Sequence, residues 1–276
     1  MSEIAAEETT ATESAGSSVW RGLKKVLPAI ALSAAILIVW EAFIRIFDVA
    51  TFVLPAPSAI VVSLIKNRAS LAVATQATAF EIFFGFVLAA IVGVVVALLI
   101  VRFERFGRAL YPLIVLFQNV PKVALAPIFI LWFGFELTPK ILLIVVIAFF
   151  PVTIDMLAGL QSVEPSFISL MRSVGASKNK IMLRVRIPHS LPHLMAGLKV
   201  AITFSVIGAI VGEFAGANRG LGYVIQFAST QLDTPLIFAA LLVVSALGLA
   251  FYYVVEFAER LLVPWAPKYD PIQLNG

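Results

Sequence analysis

Long apolar runs separated by short polar segments dominate the hydropathy pattern of this chain. Six runs of 20 or more mainly apolar residues occupy 27–47, 72–101, 109–133, 141–160, 194–214 and 236–263. A helix needs about 20 residues to cross a bilayer core about 30 Å thick. Strands of a membrane barrel would alternate over about ten residues, whereas these runs are apolar throughout. The pattern therefore predicts an all-α integral membrane protein with about six transmembrane helices.

Composition supports this prediction and excludes other classes of site. Of the 276 residues, 61% are hydrophobic and 13% are charged. In a soluble domain about half of the residues are hydrophobic and about a quarter are charged. Many apolar side chains of this chain must therefore face lipid. The chain has no cysteine, which excludes thiolate metal sites, and only two histidines, His189 and His193. We therefore expect no metal site. We expect no nucleic-acid partner either, because membrane topology accounts for the positive charges.

The positive charges are distributed unevenly among the segments between the spans. If the N-terminus is cytoplasmic, the inner segments hold 13 Lys and Arg residues and the outer segments hold four. Positive residues mark cytoplasmic loops, so we expect both termini inside the cell. Residues 1–18 are predicted to form a disordered cytoplasmic start, 19–267 the transmembrane domain, and 268–276 a cytoplasmic tail.

Small residues recur every four positions in two of the predicted spans. These two stripes are Gly85, Ala89, Gly93 and Ala97 in the second span and Gly197, Ala201, Ser205 and Ala209 in the fifth. Such stripes let helix backbones approach closely in lipid, so we predict that both faces pack on other helices. Pro121 and Pro127 are expected to kink the third span, and Pro151 the fourth.

The longest predicted cytoplasmic connection, residues 161–193, carries five positive side chains and two short amphipathic patterns. Pro165 suits the first turn of a helix, and Gly175 separates the two patterns before Pro188. The apolar positions are Phe167, Leu170, Met171 and Val174 in the first pattern and Ile181, Met182 and Val185 in the second. Two interpretations stay open: a docking element for a partner protein, or a pair of interfacial helices on anionic lipid.

This loop resembles the signature of the membrane subunits of binding-protein-dependent ATP-binding cassette (ABC) importers. The signature reads E-A-A-x-x-x-G, nine variable residues, then an aliphatic residue, any residue and Leu-Pro. Gly175 stands at the glycine position and is followed by Ala176, and the second part is matched by Val185, Ile187 and Pro188. The segment 169–171 reads Ser-Leu-Met where the family has E-A-A, so the acidic residue is missing.

Four further stretches are similar to the nitrate, sulfonate and taurine branch of this family, which includes permeases for pyrimidine precursors of thiamine. They are VPKVALAP at 120–127, LWFG at 131–134, GEF at 212–214 and GLGY at 220–223. The resemblance covers residues 54–267. It implies a type I importer permease that moves a small solute across the bacterial inner membrane.

The resemblance also implies a division of labour between chains. The sequence has no Gly-x4-Gly-Lys-Ser/Thr phosphate loop, so we expect no enzymatic activity and no bound cofactor in this chain. ATP and Mg²⁺ would be used by two copies of a partner ATPase. A periplasmic or lipid-anchored binding protein would deliver the solute, and a second permease copy, in membrane lipid, would complete a homodimer. The residues implied in ATPase coupling are Phe167, Leu170, Met171, Val174, Gly175, Ala176, Met182, Val185, Ile187 and Pro188.

Polar residues at membrane depth are candidates for the solute pathway, because a charge left in lipid costs at least about 2.5 kcal/mol. Asn119 and Lys122 lie midway along the third span, and Glu213 ends the fifth. Lys122 either draws an anionic solute into a water-filled pathway or pairs with a carboxylate such as Asp155. We take Asn119, Lys122 and Glu213 as the candidate pathway residues.

Other classes of membrane protein fit the sequence less well. An ion-coupled secondary transporter or channel is the main alternative, but such transporters often contain inverted repeats, and no repeat relates the two halves here. An intramembrane enzyme would need a Ser/His, paired-Asp or metal constellation within the spans, and none is present. The sequence therefore predicts an importer permease without identifying its solute.

Overall fold

The computed structural model describes residues 27–265, apart from the side chains of Glu104 and Phe106. The predicted disordered start, 1–18, and the predicted tail, 268–276, lie outside these residues. All regular elements within 27–265 are helical. Helices α1 to α11 are Leu27–Ile46, Pro57–Lys66, Arg68–Arg102, Glu104–Gln118, Ala126–Phe133, Leu137–Gln161, Pro165–Ser173, Lys178–Ile181, Ile187–Gly216, Leu221–Thr230 and Thr234–Leu262.

Five stretches of helix in the described chain are long and apolar enough to cross a membrane. They are α1, α3, α6, the continuous run Lys178–Gly216 that includes α8 and α9, and α11. A sixth apolar unit consists of α4 and α5, which meet at an angle of 89°. Counting this pair as one broken span gives the six spans that the hydropathy pattern predicts.

The predicted third span, 109–133, is broken rather than kinked. Pro121 has a non-helical backbone between α4 and the short 3₁₀ turn that precedes α5. Pro127 causes no kink, because it lies in the first turn of α5, where the missing N–H removes no hydrogen bond. Pro151 lies inside α6, which continues without interruption on both sides of it.

The predicted loop 161–193 is shorter in the structure, because its second helix joins the fifth span. A π turn, Met182–Arg186, connects α8 directly to α9, and Ile187 N–H donates to the carbonyl of Met182. Pro188 therefore lies inside a continuous helical run instead of ending one. A widened turn gives room where a proline ring would otherwise clash with the carbonyl four residues earlier.

Helix α6 forms the centre of the bundle, and α3 packs along one side of it. More than half of the most apolar stretch of α6 is buried, compared with 6% for α1. Ala89 and Ala97 of the first stripe are fully buried. A methyl group at Gly93 would lie 2.7 Å from Cβ of Val152 in α6. Only small residues permit this approach, which confirms the predicted packing of the first stripe.

The second stripe packs α9 against α6. Ala201, Ser205 and Ala209 are all fully buried. A methyl group at Gly197 would lie 2.9 Å from the carbonyl oxygen of Pro151. Because α3 and α9 both approach α6 closely and also contact each other, the three helices form one tightly packed core. The two ends of this three-helix core carry the candidate sites.

Candidate functional site

Four polar side chains meet inside the bundle near the start of α10. This buried polar cluster consists of Thr78 and Glu81 from α3, Lys140 from α6 and Glu213 from α9, and each is at most 5% exposed. Lys140 Nζ donates a hydrogen bond of 2.5 Å to Glu81 Oε1. Pairing is the expected arrangement for ionisable groups inside membrane spans, where isolated charges are costly.

The carboxylate of Glu213 holds the start of α10. Its Oε2 accepts a hydrogen bond of 2.5 Å from the N–H of Gly222, and its Oε1 accepts one of 2.6 Å from the Thr78 hydroxyl. Thr78 Oγ1 in turn accepts from the N–H of Leu221 at 2.8 Å. The first N–H groups of a helix have no partner within the helix and favour negative charge. Glu213 and Thr78 therefore cap α10 from two other helices.

Two glycines leave space for this carboxylate. Gly220 has φ +118°, a conformation that side chains disfavour, and a side chain there would overlap the Glu213 carboxylate. A methyl group at Gly222 would lie 2.8 Å from Glu213 Oε2. The GEF stretch ends six positions before the GLGY stretch begins, and the two stretches form the two sides of one contact.

The sequence pattern does not connect the members of this cluster. It places Glu213 among the candidate pathway residues, and Lys140 is one of the four basic residues of the predicted outer segments. A signal was available, since charges within apolar helices need partners, but the sequence does not say which charges meet. In this structure Glu213 is fully buried, with Oε2 bonded to Gly222 of α10 and Oε1 to Thr78 of α3. Its role in a pathway stays a prediction.

Asn119 and Lys122 lie at the bend between α4 and α5. Lys122 Nζ donates to the carbonyl oxygen of Gln118 at 3.0 Å and lies 4.5 Å from the centre of the Phe150 ring. A cation over an aromatic face is a favourable contact. Asn119 Nδ2 donates to a carbonyl of its own helix at 3.0 Å. No salt bridge within residues 27–265 involves Lys122, so the predicted pairing with Asp155 is not formed.

At the other end of the bundle, the apolar residues of α7 point in two directions. Ile168 is buried with Val163 and Ile181, and Met171 packs against this group. The others are exposed and form what we call the loop face: Phe167 at 45%, Leu170 at 58%, Val174 at 72% and, beyond the turn, Leu183 at 65%. The predicted face of Phe167, Leu170, Met171 and Val174 is therefore divided, and only Met171 turns inward.

Gly175 forms the turn between α7 and α8. Its φ is +79°, and its N–H donates to the carbonyl of Arg172 at 3.0 Å. The N–H of Ala176 donates to the carbonyl of Met171 at 3.0 Å, which completes a glycine-dependent helix cap. Ser177 then caps α8 by accepting from the N–H of Lys180 at 3.3 Å. The loop face is therefore presented on a turn with defined hydrogen bonds.

The remaining predicted coupling residues attach this loop to the bundle. Ala176 and Val185 pack against the buried group around Ile168. Met182 and Ile187 pack against the ends of α3, α4 and α6. Pro188 lies in the first turn of α9. These side chains face inward, so they connect the loop face to α9 instead of presenting a surface of their own.

Comparisons with known proteins agree with this architecture. Residues 89–266 match the family described as "Binding-protein-dependent transport system inner membrane component". The formylaminopyrimidine transport permease protein ThiX of Halalkalibacterium halodurans is 37% identical over 84% of this chain and 93% of that protein. The taurine transport system permease protein TauC of Escherichia coli is 30% identical over 56% of each chain.

The fold is also similar to a chain in the crystal structure of an amino acid ABC transporter with histidines. The TM-score is 0.56 at 21% identity, and the match covers 73% of this chain and 98% of that chain. The family match contains α6, the loop face and α10, and therefore both ends described above. The chain thus belongs to the family of binding-protein-dependent transport system inner membrane components, the multi-pass permease subunits of ABC importers in the inner membrane.

Proposed function

We propose that this permease binds a separate ATPase through the loop face, with Gly175 as the turn that presents it. The observation that carries this proposal is the exposure of four large apolar side chains on a turn with defined hydrogen bonds. Full burial of such a side chain contributes about 1.5–3 kcal/mol, so a partner that covers the loop face gains affinity there. We take this exposed apolar set as favouring a protein partner over contact with interfacial lipid.

The continuous helix from Lys178 to Gly216 offers a mechanical route between the two ends. Residues next to the loop face pack against the buried group around Ile168, so movement of a bound ATPase would displace α8 with the loop. At its far end α9 carries Glu213, which caps α10. We propose that ATP-driven movement reaches α10 along this helix and changes access to the solute pathway.

The assembly that we propose contains two ATPase copies, a second copy of this permease and a separate solute-binding protein. The low burial of α1 supports a second copy or lipid as its neighbour, since its apolar side chains face outward from this chain. The charge distribution supports cytoplasmic termini. A phosphatase that is active only outside the cytoplasm should therefore be inactive when fused after Gly276, and strong activity would contradict this orientation.

The solute that we propose first is a small molecule of the formylaminopyrimidine class. Its support is the relationship to ThiX, which is 37% identical over 93% of that protein, compared with 30% over 56% for TauC. A sulfonate such as taurine is the second candidate. Its support is Lys122, an ammonium group that forms no ion pair with the described residues and would attract an anion.

Reconstitution of the permease with its ATPase and a solute-binding protein encoded beside it tests these proposals. ATP hydrolysis should rise when the binding protein carries formylaminopyrimidine and stay near its basal rate with taurine. Stimulation of ATP hydrolysis by taurine and not by formylaminopyrimidine would favour the sulfonate candidate. In that case Lys122→Met should lower taurine uptake while assembly with the ATPase stays normal. If Lys122→Met leaves taurine uptake unchanged, Lys122 has no part in the pathway.

The loop face has a separate test with a matched control. Leu170→Gln together with Val174→Gln should reduce the amount of copurified ATPase by tenfold or more, on the order of the loss of one buried apolar side chain. Ser169→Gln together with Ser173→Gln changes neighbouring positions of α7 and should keep the ATPase bound. Equal recovery of ATPase with both double variants would overturn the docking proposal.

A further inference from the structure

A pocket of about 850 Å³ lies where the end of α3, the start of α4 and the α7–α8 loop meet. Its basic lining residues are Arg102, Arg108, Arg172, Lys178 and Arg186. Among the described side chains, no carboxylate lines the pocket, and none forms a salt bridge with these five residues. Five like charges around one space repel each other, so the pocket is suited to an anionic ligand.

The other walls of the pocket are largely apolar. They include Ile100 and Val101 from the last turn of α3, Ile168 of α7 and Ile181 and Met182 beyond the turn. Tyr111 and Pro112 of α4 also line it. Arg102 is the last residue of a 35-residue apolar helix, so the basic groups lie at the end of a membrane span. Cations at a span end beside apolar walls match a ligand with an anionic head and an apolar tail.

We propose that this pocket binds one anionic glycerophospholipid, with the phosphate among the arginines and an acyl chain against the apolar wall. One guanidinium group can donate two parallel hydrogen bonds to two oxygens of the same phosphate, so Arg108 and Arg172 suit this ligand. A bound phosphate also lowers the repulsion between the cations and ties α4 to the α7–α8 loop.

The pocket is separate from the loop face. None of the four exposed apolar residues Phe167, Leu170, Val174 and Leu183 lines it, whereas the inward-facing Ile168 and Ile181 do. It therefore lies on the side of α7 that faces the bundle. This position favours a lipid that enters beside the spans over a protein that covers the tip of the loop.

Native mass spectrometry of the full-length permease in detergent tests the proposal. Phosphatidylglycerol and phosphatidylcholine with the same acyl chains are added to delipidated protein, and the bound fraction of each is measured. We expect phosphatidylglycerol to bind about tenfold or more tightly, since each basic residue near a membrane surface contributes about fivefold. Equal binding of the two lipids by the wild-type protein would overturn the proposal without the use of any variant.

Matched variants locate the binding site. Arg108→Gln with Arg172→Gln removes two charges from the pocket and should weaken phosphatidylglycerol binding about 30-fold. Lys180→Gln with Arg184→Gln removes two charges from the same region but not from the pocket lining, and should change binding less than twofold. The proposal is overturned if the two double variants bind phosphatidylglycerol equally well.

Two further outcomes identify a different ligand. If inorganic phosphate competes with phosphatidylglycerol at equal concentration, the acyl chain contributes nothing and the lipid proposal fails. If the pocket double variant loses copurified ATPase while its binding of phosphatidylglycerol is unchanged, the pocket belongs to a protein interface. Retained ATPase with reduced binding of phosphatidylglycerol supports the lipid and leaves the docking proposal for the loop face unaffected.

Discussion

The two ends of α9 differ in where their functional side chains find partners. Near α10, Glu213 and Lys140 are buried and form hydrogen bonds within the described chain. At the loop end, Leu170 and Val174 are exposed, and Arg108 and Arg172 line a pocket in which none of the described side chains is a carboxylate. The first end therefore finds most of its partners within one chain, although Glu81 Oε2 is buried without a hydrogen-bond partner among the described residues. The second end requires something from outside. Substitutions near α10 should lower stability, and substitutions at the loop end should affect assembly more than folding.

The largest effect is expected for Lys140→Met. Lys140 is the cation paired with Glu81, so its loss leaves a buried carboxylate without a counter-charge. The free energy of unfolding in detergent should fall by about 3–5 kcal/mol. Lys66→Met, at the end of α2 and outside any described salt bridge, should change it by no more than about 0.5 kcal/mol.

A second substitution separates charge from packing at this position. Glu81→Gln combined with Lys140→Met leaves no unpaired charge from this ion pair and should recover part of the lost stability. Similar unfolding midpoints for Lys140→Met and Lys66→Met would show that the α10 end does not depend on the buried ion pair. The comparison between the two ends would then lose its main support.

The next largest effect concerns the core of α3, α6 and α9 that connects the two ends. Gly93→Ala places a methyl group 2.7 Å from Cβ of Val152 and 2.9 Å from the carbonyl oxygen of Phe149. Overpacking of this kind should lower the free energy of unfolding by about 1–3 kcal/mol. Gly248→Ala in α11 meets nothing closer than 3.5 Å and should raise it by up to about 1 kcal/mol. Thermal unfolding should show a lower midpoint for Gly93→Ala and a higher one for Gly248→Ala than for the wild-type protein. A shift of both midpoints in the same direction would contradict the close approach of α3 and α6.

A smaller loss of stability is expected for Thr78→Val. The substitution leaves the N–H of Leu221 without its acceptor at the start of α10, which should cost about 1–2 kcal/mol. Thr75→Val is the control, because the Thr75 hydroxyl bonds only to the Leu71 carbonyl of its own helix. Hydrogen exchange of α10 amides should accelerate in Thr78→Val alone. Equal exchange in both variants would mean that Thr78 does not hold α10.

The smallest effect on stability, and the sharpest test of the loop end, is Gly175→Leu. Its φ of +79° disfavours a side chain, but no atom lies within 4 Å of the added Cβ, so the cost should be about 1–2 kcal/mol. Gly134 has the same φ and equally open surroundings, so Gly134→Leu should cost a similar amount. We expect only Gly175→Leu to uncouple ATP hydrolysis from uptake. Normal coupled uptake by Gly175→Leu would remove Gly175 from the docking turn.

Much of the fold could be predicted because helix properties depend on nearby residues. The apolar runs identified the spans, and the stripe of small residues every four positions from Gly85 to Ala97 identified the face that packs on α6. The turn at Gly175 was also predictable, since glycine favours the positive φ of a helix cap. The 89° break of the third span was not, because a proline permits either a kink or a break and the surrounding helices select between them.

The α10 end shows where local patterns stop being sufficient. Helix α10 has ten residues, too few to cross a membrane, and although the GLGY stretch marks its start, no hydropathy pattern predicted a helix there. The continuity of α8 with α9 was also missed, because Pro188 normally disfavours helix and the compensating π turn is recognised only from backbone geometry. The hydrogen bonds that cap α10 and those of the π turn both depend on backbone geometry, which residue types alone do not specify.

The sequence by itself determined that this chain spans a membrane, which helix faces pack closely, and which transporter family it belongs to. These properties depend on hydrophobicity, residue size and short motifs, all of which are local. Only the tertiary structure decided which buried groups pair: Lys140 with Glu81 across 59 positions and Glu213 with Thr78 across 135. The same is true of the loop end, where packing buries Ile168 and Met171 but leaves Leu170 exposed. Burial and pairing depend on how helices distant in sequence are arranged around α6, and the spacing of residues along one helix carries no information about that arrangement.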